Sequence, residues 1–196
     1  MAQARVKAPK ESLFAERFAV FAECLLTGVW IAVVSLGVVT YPAAFAAGAR
    51  HLRRRIAHEG GGWREFAADF RAAVRGGWLV GLAGWVAVAV AWVDIQAVRA
   101  GLPGGPLVGA LGLFALIGAL VAGLRAAAVW TPGAAWRSLL AAAGRRTVLD
   151  PAGSFLLTGG AAVVAVSGWF VAPLAVPVLG CVAAAAVAVE ERYRHR

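Results

Sequence analysis

The sequence predicts an all-α fold: a polytopic membrane helix bundle of about five transmembrane helices, the first broken near Thr40 to Pro42, with two amphipathic interfacial helices. Three observations predict it. Of 196 residues, 61% are hydrophobic and 15% charged, against roughly 45–50% and 25% in ordinary soluble domains. A soluble fold of this size has too little interior to bury so much apolar surface. The stretches 79–93, 107–122 and 155–189 carry almost no charge. Between the apolar stretches lie arginine clusters, with Arg50, Arg53, Arg54, Arg55, Arg64, Arg71 and Arg75 in one connection.

The whole chain, 1–196, reads as one membrane domain: a basic N-terminal segment over 1–17, an arginine-rich connection over 49–77 and a basic tail over 190–196. The N-terminal segment lacks the apolar core and small-residue cleavage site of a secretory signal, so it is expected to be retained. The first apolar segment covers 18–48, longer than the ~20 residues a span needs. Thr40-Tyr41-Pro42 interrupts it. Proline lacks a backbone donor and clashes with the preceding turn, so a kink or break belongs there. The reading is a spanning helix over 22–39, then a short helix from Pro42 to Ile56.

Glu59-Gly60-Gly61-Gly62 is a hinge. In 63–78, Trp63, Phe66, Ala67, Phe70, Ala73 and Val74 recur at helical spacing, with Arg64, Glu65, Arg71 and Arg75 on the other face. That is an amphipathic helix, lying in the membrane interface or packed on neighbouring protein. The second span is 78–98, followed by a turn rich in glycine and proline over 101–106, and the third is 107–128. A second amphipathic piece, 131–146, places Trp136, Leu139, Leu140 and Ala143 on one side. Asp150-Pro151 ends that connection. The fourth span is 154–171 and the fifth 174–189, with a turn at Ala172-Pro173. Trp63, Trp78, Trp130 and Trp136 sit near segment ends, as an aromatic belt requires. Trp85, Trp92 and Trp169 lie deeper and read as packing residues.

Orientation follows from Lys and Arg. The first connection carries seven, the second only Arg99, the third four, the fourth none and the tail three. Positive charge favours the inside, so the arginine-rich connection and the C-terminal tail are expected in the cytoplasm. Five full spans would then leave the four positive charges of the N-terminal segment outside. That cost disappears if the segment around Thr40-Tyr41-Pro42 re-enters instead of crossing. The net charge of +9 therefore points to a bilayer with anionic headgroups, contacted by Arg53, Arg54, Arg55, Arg64, Arg71 and Arg75. No recognition module accompanies it, so nucleic acid is not an expected partner. The richness in Ala, Arg, Gly and Val hints at a high-GC bacterial genome, and so at a bacterial plasma (inner) membrane.

The stretch from Cys24 to about Asp94 resembles the YesL family of bacterial membrane proteins, a domain of unknown function. The likeness rests on TGVWIAVVSLGVVTYPAAFAAGARHLRRRI, then an acidic-glycine hinge, WREFAADFRAAVRGGW, and a span ending near Asp94. Many relatives have Pro where Gly37 stands, and Gly-Pro where this chain has Tyr41-Pro42. The resemblance implies an integral membrane protein associated with carbohydrate uptake, and an accessory role in uptake or sensing follows only by that association.

Few residues carry chemistry. Glu23 at the start of the first span, and Asp94 and Gln96 near the exit of the second, are polar groups at or near membrane depth, where they are functional candidates by default. Asp94 is expected to pair with Arg99, and Glu23 to cap or snorkel. Arg125 reads as a snorkelling arginine, with a headgroup or Asp94 as the other possible partner. The break at Thr40-Tyr41-Pro42 exposes backbone groups, which only protein or a water-filled cavity satisfies; it is either a site or a plain kink. Cys24 and Cys181 read as small buried hydrophobes, not a disulfide or metal pair. His51, His58 and His195 have no third ligand nearby, and no nucleotide or nucleophile motif is present. No metal, cofactor or enzymatic activity is expected. Two functions remain: a non-enzymatic accessory or scaffold subunit paired with a carbohydrate importer or sensor, or a small-solute transporter or channel working as a homo-oligomer.

Overall fold

The computed structural model describes residues 10–195, and all its elements are helical: α1 (Lys10–Ser35), α2 (Tyr41–Ile56), α3 (Trp63–Arg99), α4 (Gly105–Ala128), α5 (Trp136–Leu149), α6 (Pro151–Phe170) and α7 (Ala172–Arg194). Five of them, all but α2 and α5, are long and apolar enough to cross a membrane. The first nine residues of the basic segment 1–17, and Arg196 of the tail, lie outside the described residues.

The expected break is real and reverses the chain. α1 stops at Ser35, and α2 starts at Tyr41 with Pro42 in its first turn, where a missing N–H leaves no helical bond unmade. Within the turn Val38 takes φ 59°, a left-handed conformation that costs a β-branched residue about 1–3 kcal/mol. The turn is fastened to α3. The Trp85 indole donates to the Val38 carbonyl at 2.9 Å, and a Cβ on Gly81 would overlap the Val39 carbonyl. α2 then runs back along α1, so that Gly48 packs on Ile31 and Thr27. Five potential spans plus this returning helix bring the chain to the same end of the bundle after every pair of helices.

α2 is the axis of the fold. Pro42 to Ala49, with His51 and Leu52, are buried, because α1, α3, α4 and α7 all pack around it. Its small residues make this possible: Ala43, Ala44, Ala46, Ala47 and Ala49 are fully enclosed. A run of alanines with glycine lets neighbouring backbones approach closely.

The amphipathic piece 63–78 is not a separate helix. It is continuous with the second span in α3, whose 37 residues make a rod of about 55 Å. That exceeds the ~30 Å hydrocarbon core, so one end of α3 projects. The projecting end keeps its predicted faces. Phe66 and Ala73 are buried while Arg64, Arg71 and Arg75 are exposed. The apolar stripe lies on α2 and on Trp30 of α1, so it packs on protein. α5 is the second amphipathic helix as expected, with Trp136 and Ala143 buried.

The outer helices face outward with apolar side chains. Only 6% of the apolar window of α4 is buried, against 39% for α7, so α7 belongs to the interior of the bundle and α4 to its rim. α7 meets α1 backbone to backbone. A Cβ on Gly180 would overlap the Cys24 carbonyl, and one on Gly28 would overlap the Val176 carbonyl. Leu107, Phe114, Phe155, Trp169 and Phe170 stand exposed, as hydrocarbon solvent requires.

Candidate functional site

α2 connects two contrasting environments. At its C-terminal end the polar side chains that the membrane would penalise find one another. Glu23 of α1 accepts from Arg55 at 2.7 Å through one oxygen and lies 2.7 Å from His51 Nε2 through the other. Glu23 therefore neither caps nor snorkels; it ties α1 to α2. His51 is fully buried, its Nδ1 has no hydrogen-bond partner, and its ring sits 5.0 Å from that of Trp30. Trp63 and Phe66 complete an aromatic group around Trp30. One turn away, Arg50 and Arg54 approach the buried Asp69 of α3 at 3.2 and 3.0 Å. Arg53 donates to the carbonyl of Trp130. Burial, then the charges of Arg194 and Arg50, push the Arg53 guanidinium below its usual range.

At the N-terminal end of α2 the surroundings are apolar. Thr40 donates to the Val34 carbonyl at 2.8 Å and so closes the turn. Pro42 is buried and Tyr41 is 38% exposed, its hydroxyl packed on Gly84 of α3. Tyr41, Pro42 and Phe45 form one wall of a cavity of about 600 Å³ to which every helix contributes. Of its lining, only Ser35 and Tyr41 carry polar side-chain atoms.

A third cluster closes the bundle where α4, α5, α6 and α7 meet. Arg125 is fully buried. It donates to Asp150 Oδ2 at 2.9 Å and to Glu190 Oε1 at 3.2 Å. It is neither a snorkelling side chain nor a partner of Asp94. Arg146 binds the other Glu190 oxygen, and Arg192 reaches Asp150 at 3.2 Å. Asp150 also caps α6, accepting from the Gly153 N–H. Burial pushes the Asp150 carboxyl up, but the Arg125 hydrogen bond, the Gly153 N–H and the charges of Arg125 and Arg192 outweigh it and hold it below the usual carboxylate range. Removing one partner from such a buried set leaves an uncompensated charge, at a cost of about 3–5 kcal/mol.

The remaining candidates stay apart from these centres. Asp94 is half-buried, its carboxylate against Gly112 of α4. Gln96 is exposed and accepts from Arg99 at 3.4 Å, taking the partner expected for Asp94. Arg53, Arg54 and Arg55, expected at headgroups, have partners within the protein, whereas Arg64, Arg71 and Arg75 point outward. Sequence reasoning did not single out His51, Asp69, Asp150, Glu190, Arg146 and Arg192 as members of these clusters. Asp69 did leave a signal: it falls three residues after Phe66 and four before Ala73, on the apolar stripe. Cys24 is buried and Cys181 exposed, both as free thiols.

No protein-family model matches the chain, and neither does any curated protein or solved structure.

Proposed function

We propose that this is a multi-pass protein of the bacterial inner membrane, of YesL type, acting as a non-enzymatic accessory or scaffold subunit linked to carbohydrate uptake or sensing. In this reading the arginine-rich end and the C-terminal tail face the cytoplasm. The positive-inside rule supports that orientation. The returning helix supports it too, because it brings the start of α1 to the same end as Arg55 without an extra crossing.

The observation that carries the accessory reading is the allocation of polar side chains. Glu23, His51, Asp69, Arg125, Asp150 and Glu190 are engaged with partners inside the protein. The cavity of about 600 Å³ beside the turn is walled almost wholly by apolar groups. A route for a polar solute needs several polar groups facing a common space near midplane, and these walls do not supply them. The second reading, a small-solute transporter or channel acting as an oligomer, is favoured by one observation: the helix break at Thr40 and Tyr41 adjoins that cavity.

Affinity purification of the tagged protein from native membranes in mild detergent, with mass spectrometry, separates the two. Stoichiometric recovery of an importer or sensor subunit supports the accessory reading. Recovery as a defined oligomer alone, with solute uptake in reconstituted vesicles, overturns it.

A further inference from the structure

Three arginines that the fold leaves unpaired share one strip of α3. At about 3.6 residues per turn, Arg64, Arg71 and Arg75 fall within roughly 40° of one another around the helix axis. All three are exposed, and none has an acidic partner among the described residues. The carboxylate next to Arg64 in sequence, that of Glu65, accepts from the Gly62 N–H at 2.8 Å instead. The same strip continues along the unbroken helix through Trp78, Leu82, Val86 and Val93, every one of them exposed. One face thus passes from arginine through tryptophan to aliphatic side chains, the order that water, headgroups and hydrocarbon impose.

Depth along that face separates the arginines. With Trp78 at the hydrocarbon boundary, the helical rise puts Arg75 about 4–5 Å beyond it, Arg71 about 10 Å and Arg64 about 21 Å. The headgroup layer is about 5–8 Å deep on each side of the hydrocarbon, and a tilt of the helix shortens all three distances in proportion. Arg75 therefore sits among headgroups, Arg71 at their edge within reach of a snorkelling side chain, and Arg64 beyond them. Lipid is the partner that fits, because the strip is continuous with the helix face that acyl chains cover. A guanidinium also grips a phosphate through two parallel N–H donors.

We propose that Arg75 and Arg71 bind the phosphates of anionic phospholipids whose acyl chains cover Leu82, Val86 and Val93. The inference rests on the membrane reading and not on the accessory role. The full chain is reconstituted in vesicles of phosphatidylcholine with a minor fraction of phosphatidylglycerol. A chain that alkaline carbonate releases from them fails the membrane reading itself. For the retained chain, electron spin resonance with spin-labelled forms of each lipid measures selectivity at the protein surface. Phosphatidylglycerol should be preferred, and the preference should weaken as salt is added. Arg75→Gln should reduce it by up to about fivefold, Arg71→Gln by less and Arg64→Gln least, all at unchanged thermal stability. Arg75→Lys, which keeps the charge, should retain most of it. A benzophenone side chain introduced by Trp78→p-benzoylphenylalanine should crosslink to phospholipid in native membranes. Three results would overturn the proposal: equal selectivity for the two lipids in the retained parent chain, equal effects of the three glutamine variants, or capture of a protein instead of phospholipid from position 78.

Discussion

The Trp85 indole and the Val38 carbonyl, 2.9 Å apart, hold a strained reversal against the longest helix in the protein. Val38 adopts a left-handed backbone that only glycine takes without cost, so the surrounding contacts impose it. The turn's position decides where α2 begins, and thereby where its arginine-rich end meets α1.

Val38→Gly should relieve that strain and raise the thermal midpoint in detergent, by an amount equivalent to about 1 kcal/mol. Trp85→Phe should lower it by a similar amount through the lost hydrogen bond. A midpoint that falls in Val38→Gly would show that the valine side chain contributes packing greater than its strain.

Gly180→Ala should be strongly destabilising, because a methyl there overlaps the Cys24 carbonyl and separates α7 from α1. Gly159→Ala is the control: its Cβ meets nothing within 4 Å, so helix propensity alone predicts a gain of up to about 1 kcal/mol. Fluorescence-detected size exclusion after heating ranks the two, and equal losses would refute the close α1–α7 contact.

Arg125→Met and Glu190→Gln should each destabilise the fold, the first by about 3–5 kcal/mol, because Asp150 and Glu190 then share a buried site without their central cation. Arg125→Lys should rescue only partly, since an ammonium cannot reproduce the fork that serves both carboxylates. Chemical unfolding in mixed micelles measures all three.

The same cluster sets an acid limit. The Asp150 carboxyl is held below its ordinary value in the folded protein. Its contribution is therefore complete above the unfolded value of about 3.9 and disappears as the pH falls through the lower folded value. The part of the midpoint that this carboxyl contributes should hold down to about pH 4 and fall below it. In Asp150→Asn, lower in stability throughout, the part of that acid dependence due to this carboxyl should be absent.

For orientation, single cysteines replacing Arg64 and Leu102, in a background with Cys24 and Cys181 changed to alanine, should label from opposite sides of the membrane. Arg64 should be reached from the cytoplasm and Leu102 from outside. Labelling of both from one side would contradict the crossing of α3, which begins at Trp63 and ends at Arg99.

Spans proved legible because length and lack of charge are properties of a continuous stretch, and lipid-facing helices such as α4 follow composition directly. An interruption was legible too, since Pro42 calls for a kink or break by local chemistry, but not its full reversal of the chain: Pro177 stands inside α7 without breaking it. The continuity of 63–78 with the second span was not legible: the two read as separate pieces, yet the Trp136 ring packs on Gly76 and Gly77 and the helix continues through them. The ion clusters were not legible. Arg125 finds Asp150, the cap of α6, and Glu190 of α7 at 25 and 65 residues away, and no local pattern records which charges the packing will bring together. An arginine near a span end therefore resembles a snorkelling one until its neighbours are known.

The buried arginine also bears on how the protein is made. A chain synthesised from its N-terminus completes α4 long before the ribosome reaches the last helix, and Arg125 precedes Glu190 by 65 residues. Through that interval the guanidinium lacks a partner that its final setting requires. A product truncated before Glu190 leaves Arg125 with Asp150 but without its second carboxylate, a chemical sign by which unfinished chains differ from finished ones.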